Sequence, residues 1–240
     1  AKAEGHRVVL VIATGGEHGE VDDGFLDEGE LLAERRARET AESARILGID
    51  RVAFLGYHDS GMDGTAENDA AGAFWQADLD DAAEQLAAIL REEDAEVLTV
   101  YDENGNYGHP DHIQVHRVGI RAAELAKTPR VYEATVNRDA IRALMVELRD
   151  ALQASGTDLP DDMGDPDELT LGVPGDRITT TVDVGPFVDA KRAALAAHAS
   201  QVGESSFFLA MPHEHFRLAF GQEWFIRRDA SPGTAEDWLF

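Results

Sequence analysis

The chain is organised around residues 100–116, which read Val100-Tyr-Asp-Glu-Asn-Gly-Asn-Tyr-Gly-His-Pro-Asp-His-Ile-Gln-Val-His116. The apolar run that leads into this stretch, 97–100, predicts a buried strand, and the polar, glycine-containing segment after it predicts a loop. The loop enters a helix at about His112. Its charged side chains therefore gather at the carboxyl end of a strand, which is where open α/β sheets place their binding sites.

Two imidazoles, a carboxylate and a phenol lie within six residues of this loop, at Tyr107, His109, Asp111 and His112. Pro110 biases His109 towards an extended backbone, so the two histidines cannot follow one helix face, but they can converge on one point. Neutral imidazole is a common zinc ligand, and a neighbouring carboxylate can orient the ring or join the ligand shell. A polar loop whose histidines cap the following helix is the simpler alternative; the clustering favours a functional site.

The motif Tyr-Asp-Glu-Asn-Gly-x-Tyr-Gly-His-Pro-Asp-His resembles the second metal motif of the LmbE/PIG-L family. These are zinc-dependent de-N-acetylases that cleave acetamides of N-acetylglucosamine-type sugars and mycothiol-related conjugates. Other segments are also similar to that family, namely 5–11 with 13–17, Arg36-x-x-Glu39, 59–62 and 191–201. The resemblance therefore covers most of the chain.

The resemblance implies an α/β, Rossmann-like three-layer fold with a mainly parallel sheet, in one domain spanning 1–240. It implies zinc-dependent hydrolysis of an N-acyl amide on an amino sugar or sugar conjugate. In that reaction His112 ligates zinc and Tyr107 donates to the oxyanion. His109, protonated and held by a carboxylate, assists the oxyanion or protonates the leaving amine, and Asp111 orients the imidazoles.

Two further residues are candidates for substrate binding. The resemblance implies that Arg36 faces the sugar, whereas a surface ion pair between Arg36 and Glu39, three residues apart on a helix, is the simpler alternative. Asp59 is a candidate acceptor for a substrate hydroxyl, since ionised carboxylates accept strong hydrogen bonds. A turn-initiating aspartate is the alternative at Asp59.

The start of the chain departs from the family pattern. Family members begin with a strand ending in a His-Pro-Asp-Asp-Glu motif, which supplies two of three zinc ligands and the base, and this chain lacks it. Residues 1–5 read as the last turn of a helix with Gly5 at its end. We therefore expect a truncated chain whose first, central strand is missing, with an exposed sheet edge and little or no activity of its own.

Composition restricts the remaining classes. The 240 residues are 43% hydrophobic and carry a net charge of -26, with no cysteine. One domain is the simplest count, and we take the Gly-, Pro- and Asp-rich stretch 156–168 as a loop within it. Such a charge disfavours nucleic acid and anionic membranes as partners. The resemblance implies a small amino-sugar substrate, and the expected exposed edge would allow a homo-oligomer. No apolar run approaches the roughly 20 residues of a membrane helix, and we expect a cytoplasmic protein.

Two other functions stay open at this point. One is a non-catalytic carbohydrate-binding relative, whose sugar binding would be unaffected by chelator. The other is a metal-dependent hydrolase of a different substrate class, with ligands recruited from His18, His213 or His215.

Hydrophobic periodicity predicts an alternating order of strands and helices. The predicted strands are 8–13, 51–56, 96–100, 129–136 and 178–184, and the predicted helices are 28–48, 80–93, 112–125, 139–155 and 186–201.

Overall fold

The computed structural model describes residues 1–155, 165–203 and 206–240. Its strands are β1 Val9–Thr14, β2 Arg51–Tyr57, β3 Val97–Tyr101, β4 Arg130–Thr135, β5 Thr180–Asp183 and β6 Gln222–Arg227. Its α-helices are α1 Leu32–Leu47, α2 Leu79–Glu92, α3 Gly105–Gly108, α4 Pro110–Ala126, α5 Arg138–Ser155, α6 Val188–Ala196, α7 Phe207–Ala210 and α8 His213–Phe220.

The predicted elements are all present, with shifted ends. Gly48 ends α1 in the left-handed conformation, and Gly5 does the same after a short helical turn at Lys2–Glu4. The helix predicted to reach residue 201 ends at Ala196 instead. β6 was not predicted, because its residues do not alternate cleanly and its partners lie far away in the sequence. Of the predicted loop at 156–168, residues 156–164 lie outside the described part of the chain.

The strands form two separate sheets. β1 and β2 form a parallel pair, and the second sheet has the order β3-β4-β6-β5. β3 and β4 are parallel, whereas β6 runs antiparallel to both β4 and β5. The predicted α/β class is confirmed, and among the described strands the parallel pairs are β1 with β2 and β3 with β4.

The loops that follow β1, β2 and β3 contact one another. The backbone N–H of His18, after β1, donates to Asp59 Oδ2 at 3.3 Å, after β2. The backbone N–H of Ser60 donates to Asp111 Oδ2 at 3.1 Å, after β3. The carboxyl ends of the three strands therefore meet at one edge, as the sequence predicted for the charged loop.

The larger core cluster lies under both sheets. It is built from α2 and α4 with Phe74, and its buried members include Ala82, Leu86, Val118 and Ala122. Partly buried side chains from β1 and β3 pack against the same cluster. The two helices therefore bridge the gap between the sheets.

Between β1 and β3 lies a cavity of about 1900 Å³. Residues of both strands line it, together with residues of α2 and α4. None of the described helices is both long and apolar enough to cross a bilayer.

Candidate active site

Asp102, at the end of β3, fixes the loop that carries the site. Its buried carboxylate accepts the Thr135 hydroxyl at 2.6 Å and the backbone N–H groups of Asn104 and Asn106 at 3.0 and 3.1 Å. Gly105, at φ +62°, has no room for a Cβ against the start of α4. A carboxylate with three donors is firmly held, so the conformation of this loop is fixed by a side chain other than Tyr107, His109, Asp111 and His112.

His109 caps α4. Its Nδ1 accepts the backbone N–H of Asp111 at 3.1 Å, and Pro110 occupies the first helical position. Helix capping, the simpler alternative, is thus confirmed for His109. Because Nδ1 accepts a hydrogen bond, the ring proton of the neutral form lies on Nε2. The hydrogen bond that holds this ring comes from a backbone amide, where the sequence predicted a carboxylate.

The two imidazoles converge, as Pro110 predicted. The ring centroids of His109 and His112 are 5.0 Å apart, and the Tyr107 ring lies 6.1 Å from the first and 5.1 Å from the second. Tyr101 stacks on His112 at 4.0 Å with an interplanar angle of 10°. No role was predicted for Tyr101 from the sequence, although its position directly after the predicted strand was a usable signal.

His112 is held as a neutral imidazole. Burial, followed by the charge of His109, lowers its pKa to about 4. Its Nδ1 lies 3.3 Å from the carbonyl oxygen of Gly105, so the tautomer consistent with this contact has Nδ1–H donating. The Nε2 lone pair is then available, which is the form in which imidazole binds a metal.

Asp111 is buried beneath the loop, 5% exposed. Its Oδ2 accepts the Ser60 backbone N–H, and its Oδ1 is buried without a hydrogen-bond partner among the described residues. Burial raises the pKa of this carboxyl, against the lowering effect of the Ser60 hydrogen bonds. The carboxylate therefore contacts the loop after β2, whereas the sequence predicted that it orients the imidazoles.

Asp59 is buried at the end of β2 and joins two loops. Its Oδ1 accepts the Gly61 backbone N–H at 2.9 Å, which confirms the turn-initiating alternative. Its Oδ2 accepts from His18, and its own N–H donates to Glu17 Oε2 at 3.0 Å. Each carboxylate oxygen has two lone pairs, so Asp59 retains capacity to accept a hydroxyl.

Arg36 lies on α1 and donates from Nη1 to the carbonyl oxygen of Gly16 at 2.9 Å, which ties the loop after β1 to the helix. Its charge lowers the pKa of the Tyr107 phenol, against the larger raising effect of burial. The alternative of an Arg36–Glu39 surface pair is wrong. Glu39 is buried and accepts from Ser200, from the backbone N–H at 2.8 Å and from the hydroxyl at 2.6 Å.

The donors do not form a complete metal site. Within residues 1–155, 165–203 and 206–240, no group of three His, Asp or Glu side chains is placed to hold a metal ion. His213, one of the predicted recruits, begins α8 and pairs with Asp189 at 2.7 Å. Zinc in proteins takes at least three protein ligands. The described residues offer the His112 imidazole and the unpartnered Asp111 oxygen, so by themselves they do not fit a resident zinc ion.

Comparison with known proteins identifies relatives. The family model for PIG-L, GlcNAc-PI de-N-acetylase, matches residues 1–123. The 1D-myo-inositol 2-acetamido-2-deoxy-alpha-D-glucopyranoside deacetylase of Acidothermus cellulolyticus is 42% identical over 236 residues, covering 93% of this chain and 80% of its own length. The enzyme of the same name from Streptomyces avermitilis is 40% identical over 249 residues, covering 93% of this chain and 82% of its own.

A solved structure has a similar fold. The N,N'-diacetylchitobiose deacetylase of Pyrococcus horikoshii superposes with a TM-score of 0.58 over 97% of this chain and 75% of its own, at 20% identity. The predicted fold class and enzyme class, a deacetylase acting on an N-acetyl amide, are confirmed. With the family model matching half of the chain and relatives near 40% identity along nearly all of it, the chain belongs to the PIG-L family, that of GlcNAc-PI de-N-acetylase.

Proposed function

We propose that the protein acts on a 2-acetamido-2-deoxy-glucopyranoside conjugated to an inositol-type polyol, and that it hydrolyses the acetamide. The names of the relatives at 42% and 40% identity support this substrate class. The observation that carries the chemistry is the meeting of His109, His112, Asp111 and Asp59 at the carboxyl edge of β2 and β3. That edge is where α/β enzymes bind substrates.

The proposed roles follow from the state of each group. The raised pKa of Tyr107 keeps its phenol protonated near neutral pH, so that its hydroxyl can donate to the developing oxyanion. With Nδ1 accepting the Asp111 N–H, His109 presents Nε2–H, which can donate a hydrogen bond to the developing oxyanion. Protonation of the leaving amine would require the doubly protonated ring, which gives up that cap.

Substrate positioning is assigned to Asp59 and Arg36. Asp59 is fixed by two backbone donors and accepts a sugar hydroxyl with its remaining lone pairs. Arg36 holds the loop that runs from Gly16 past His18, so its effect on the sugar is through the placement of that loop.

Zinc is the proposed cofactor, with His112 as the ligand this chain contributes. Since the described residues do not provide three ligands, we expect the chain by itself to bind zinc weakly and to be nearly inactive. Bound zinc per chain after dialysis, measured on this chain and on His112→Ala, tests this. Near-stoichiometric zinc that is lost in the variant would contradict the proposal that this chain supplies only part of the metal site.

The substrate is tested by acetate release from N-acetylglucosaminyl inositol and from free N-acetylglucosamine, with added zinc. We expect slow, zinc-dependent release that favours the conjugate and is lost in His112→Ala and in Asp59→Asn. A rate equal to that of the Acidothermus cellulolyticus relative would contradict the proposed impairment. Release unchanged in both variants would contradict the assigned site.

The alternative function is a non-catalytic carbohydrate-binding protein, favoured by the incomplete set of metal donors. If this alternative is correct, no acetate is released at any zinc concentration. Sugar binding is then the same with and without a chelator. A cytoplasmic location and a homo-oligomeric state also remain predictions. Cell fractionation tests the first, and analytical sedimentation tests the second.

A further inference from the structure

His116 lies one turn beyond His112 on the same face of α4, because residues four apart stack along an α-helix. Its side chain is only 14% exposed. Its Nδ1 lies 3.0 Å from the carbonyl oxygen of Tyr101, the last residue of β3. A carbonyl oxygen can only accept a hydrogen bond, so the proton in this contact is on Nδ1 of His116, which donates.

Tyr101 is therefore held by α4 at two points. Its ring stacks on the His112 imidazole, with centroids 4.0 Å apart and an interplanar angle of 10°, and its carbonyl accepts from His116. The side-chain rotamers that a residue can adopt depend on its backbone, so a fixed carbonyl restricts where the Tyr101 ring can lie. The stacked ring in turn leaves His112 little freedom to rotate out of its plane.

A buried acid supports the donor form of His116. Glu133 on β4 is buried, and its Oε1 lies 4.0 Å from His116 Nδ1. Arg228, directly after β6, donates from Nη1 to the same carboxylate oxygen at 2.9 Å, which fixes the acid in place. A nearby carboxylate favours a proton on the nitrogen that faces it. The donor that Tyr101 requires is thus supported from the second sheet.

We propose that His116 is a positioning residue for the deacetylase reaction. By holding the carbonyl of Tyr101 it places the Tyr101 ring, and that ring sets the plane of the His112 imidazole. The lone pair of a neutral imidazole nitrogen lies in the ring plane, so this plane decides where Nε2 of His112 points. Reacting groups must be held to within about 10–20° of their productive orientation. The proposal rests on the proposed function for the role of His112, whereas the contacts among the three residues do not.

Two variants of nearly the same shape separate the donor from the volume of the side chain. His116→Asn keeps an N–H donor at about the position of Nδ1, and His116→Leu has no donor. Val118→Ala, which truncates a core residue on the same helix, is the control for a general loss of stability. The melting temperature of each variant shows how far stability alone has changed.

The first readout is the proton NMR signals of the His112 ring, identified by their absence in His112→Gln. Protons that lie over an aromatic ring are shifted upfield, so these signals report the stacked Tyr101 ring. We expect the upfield shift to be lost in His116→Leu and in Tyr101→Leu, and to be kept in His116→Asn and in Val118→Ala.

The second readout is acetate release from N-acetylglucosaminyl inositol. We expect kcat to fall about tenfold in His116→Leu, with KM unchanged, because His112 is not assigned to substrate positioning. His116→Asn should restore most of the rate. If His116 acts through Tyr101, the double variant with leucine at both positions should be no slower than Tyr101→Leu alone.

Several results would overturn the proposal. His112 signals that stay upfield in His116→Leu, or that move equally in His116→Asn, would show that the hydrogen bond does not place the ring. The same movement in Val118→Ala would show that the signals follow stability. A double variant whose rate falls by the product of the two single effects would show that His116 does not act through Tyr101. A parent protein that releases no acetate would contradict the proposed function instead, and the NMR signals would still decide whether His116 sets the His112 ring.

Discussion

His112 has surroundings unlike those of an exposed histidine. Tyr101 stacks on one side of its ring, Nδ1 faces the carbonyl of Gly105, and burial is the main cause that lowers its pKa to about 4. The ordinary value is about 6.5. The folded protein therefore keeps this ring neutral over a pH range in which the unfolded chain protonates it.

We expect this difference to make stability fall in mild acid. Because the folded pKa lies below the unfolded one, the contribution of His112 is complete above about pH 6.5 and is lost as pH falls towards 4. At pH 5.5 the loss amounts to about 1 kcal/mol relative to pH 7.5. Urea unfolding of the protein and of His112→Gln at both pH values measures this loss. The free energy of unfolding of the variant should fall by about 1 kcal/mol less between pH 7.5 and pH 5.5 than that of the protein. An equal drop in both proteins would rule the assignment out.

The pKa of Asp111 is shifted in the opposite direction, upwards. Burial raises its pKa, so the carboxyl stabilises the fold when protonated, and that contribution is lost as pH rises through the folded pKa. We expect Asp111→Asn to melt at a higher temperature than the parent at pH 8, with the difference shrinking towards pH 4. The amide keeps an acceptor for the Ser60 N–H. Melting curves at the two pH values provide the comparison, and a variant that is less stable at pH 8 would show that the charge is compensated.

The sequence predicted some of these residues and not others, for a physical reason. Pro110 restricts the backbone locally, so the convergence of His109 and His112 followed from neighbouring residues alone. The contact from Asp111 to Ser60 joins residues 51 apart, and no local pattern reports it. Glu39 was interpreted as a surface residue because helical spacing reveals a possible partner three residues away. That spacing does not reveal Ser200, which lies 161 residues further along the chain and packs on the same face of the helix.

At the scale of elements, α4 lies against β3 through a glycine. A Cβ built on Gly119 would lie 2.3 Å from Val100 Cγ1, and a β-branched side chain has little freedom to withdraw. We expect overpacking in Gly119→Ala to cost about 2–3 kcal/mol, more than the roughly 1 kcal/mol that alanine gains in a helix, so that the net loss is about 1–2 kcal/mol. Chemical denaturation measures the loss.

A double variant isolates the cause at this contact. Val100→Ala alone should destabilise by removing packing, whereas adding it to Gly119→Ala should recover part of the loss, because the methyl then has room. Strictly additive losses in the double-mutant cycle would show that the Gly119 methyl and Val100 do not collide.

A buried carboxylate joins α1 to the segment that follows α6. Glu39 accepts two hydrogen bonds from Ser200, and both residues are buried. Ser200→Ala removes one of two donors to a buried charge, so we expect a loss of about 1.5–3 kcal/mol. Ser200→Thr keeps the hydroxyl and is the matched control. Thermal unfolding compares them, and a loss below about 0.5 kcal/mol for the alanine variant would contradict a desolvated carboxylate here.

Element prediction succeeded where the pattern was local. The run that became β1 is apolar from Val9 to Ala13, and β2 to β4 contain shorter apolar runs beside polar residues such as Arg51, Thr99 and Glu133. The helices between them show helical spacing, and α1 ends at Gly48. β6 owes its conformation to pairing with β4 and β5, partners about 90 and 40 residues away in the chain. Its sequence alone therefore did not identify it.

At the scale of the whole molecule, charge is the dominant feature. There are 47 acidic and 21 basic side chains, and the net charge is -26. The described basic side chains are largely used in surface pairs, such as Arg227 with Asp229 and Glu236. Such exposed pairs contribute about 0–1 kcal/mol each, so they do not offset a general repulsion among the remaining acids.

We therefore expect salt to stabilise the protein. Raising NaCl from about 0.1 to about 1 M shortens the screening length from roughly 10 to roughly 3 Å, which weakens repulsion that acts across the surface more than it weakens contacts at hydrogen-bond distance. For a chain of 240 residues the melting temperature should rise by about 5 °C, equivalent to roughly 2 kcal/mol. Calorimetric scans along a salt series measure the change in melting temperature, with sodium sulfate at matched ionic strength as the control.

The two salts distinguish the possible causes of this change. If screening is the cause, the two salts give the same rise, and the rise levels off once the repulsion is screened. A continued rise that is larger in sulfate would assign the effect to exclusion of salt from the protein surface instead. A melting temperature that falls with NaCl would mean that the ion pairs, and not the excess acids, control the electrostatic part of the stability.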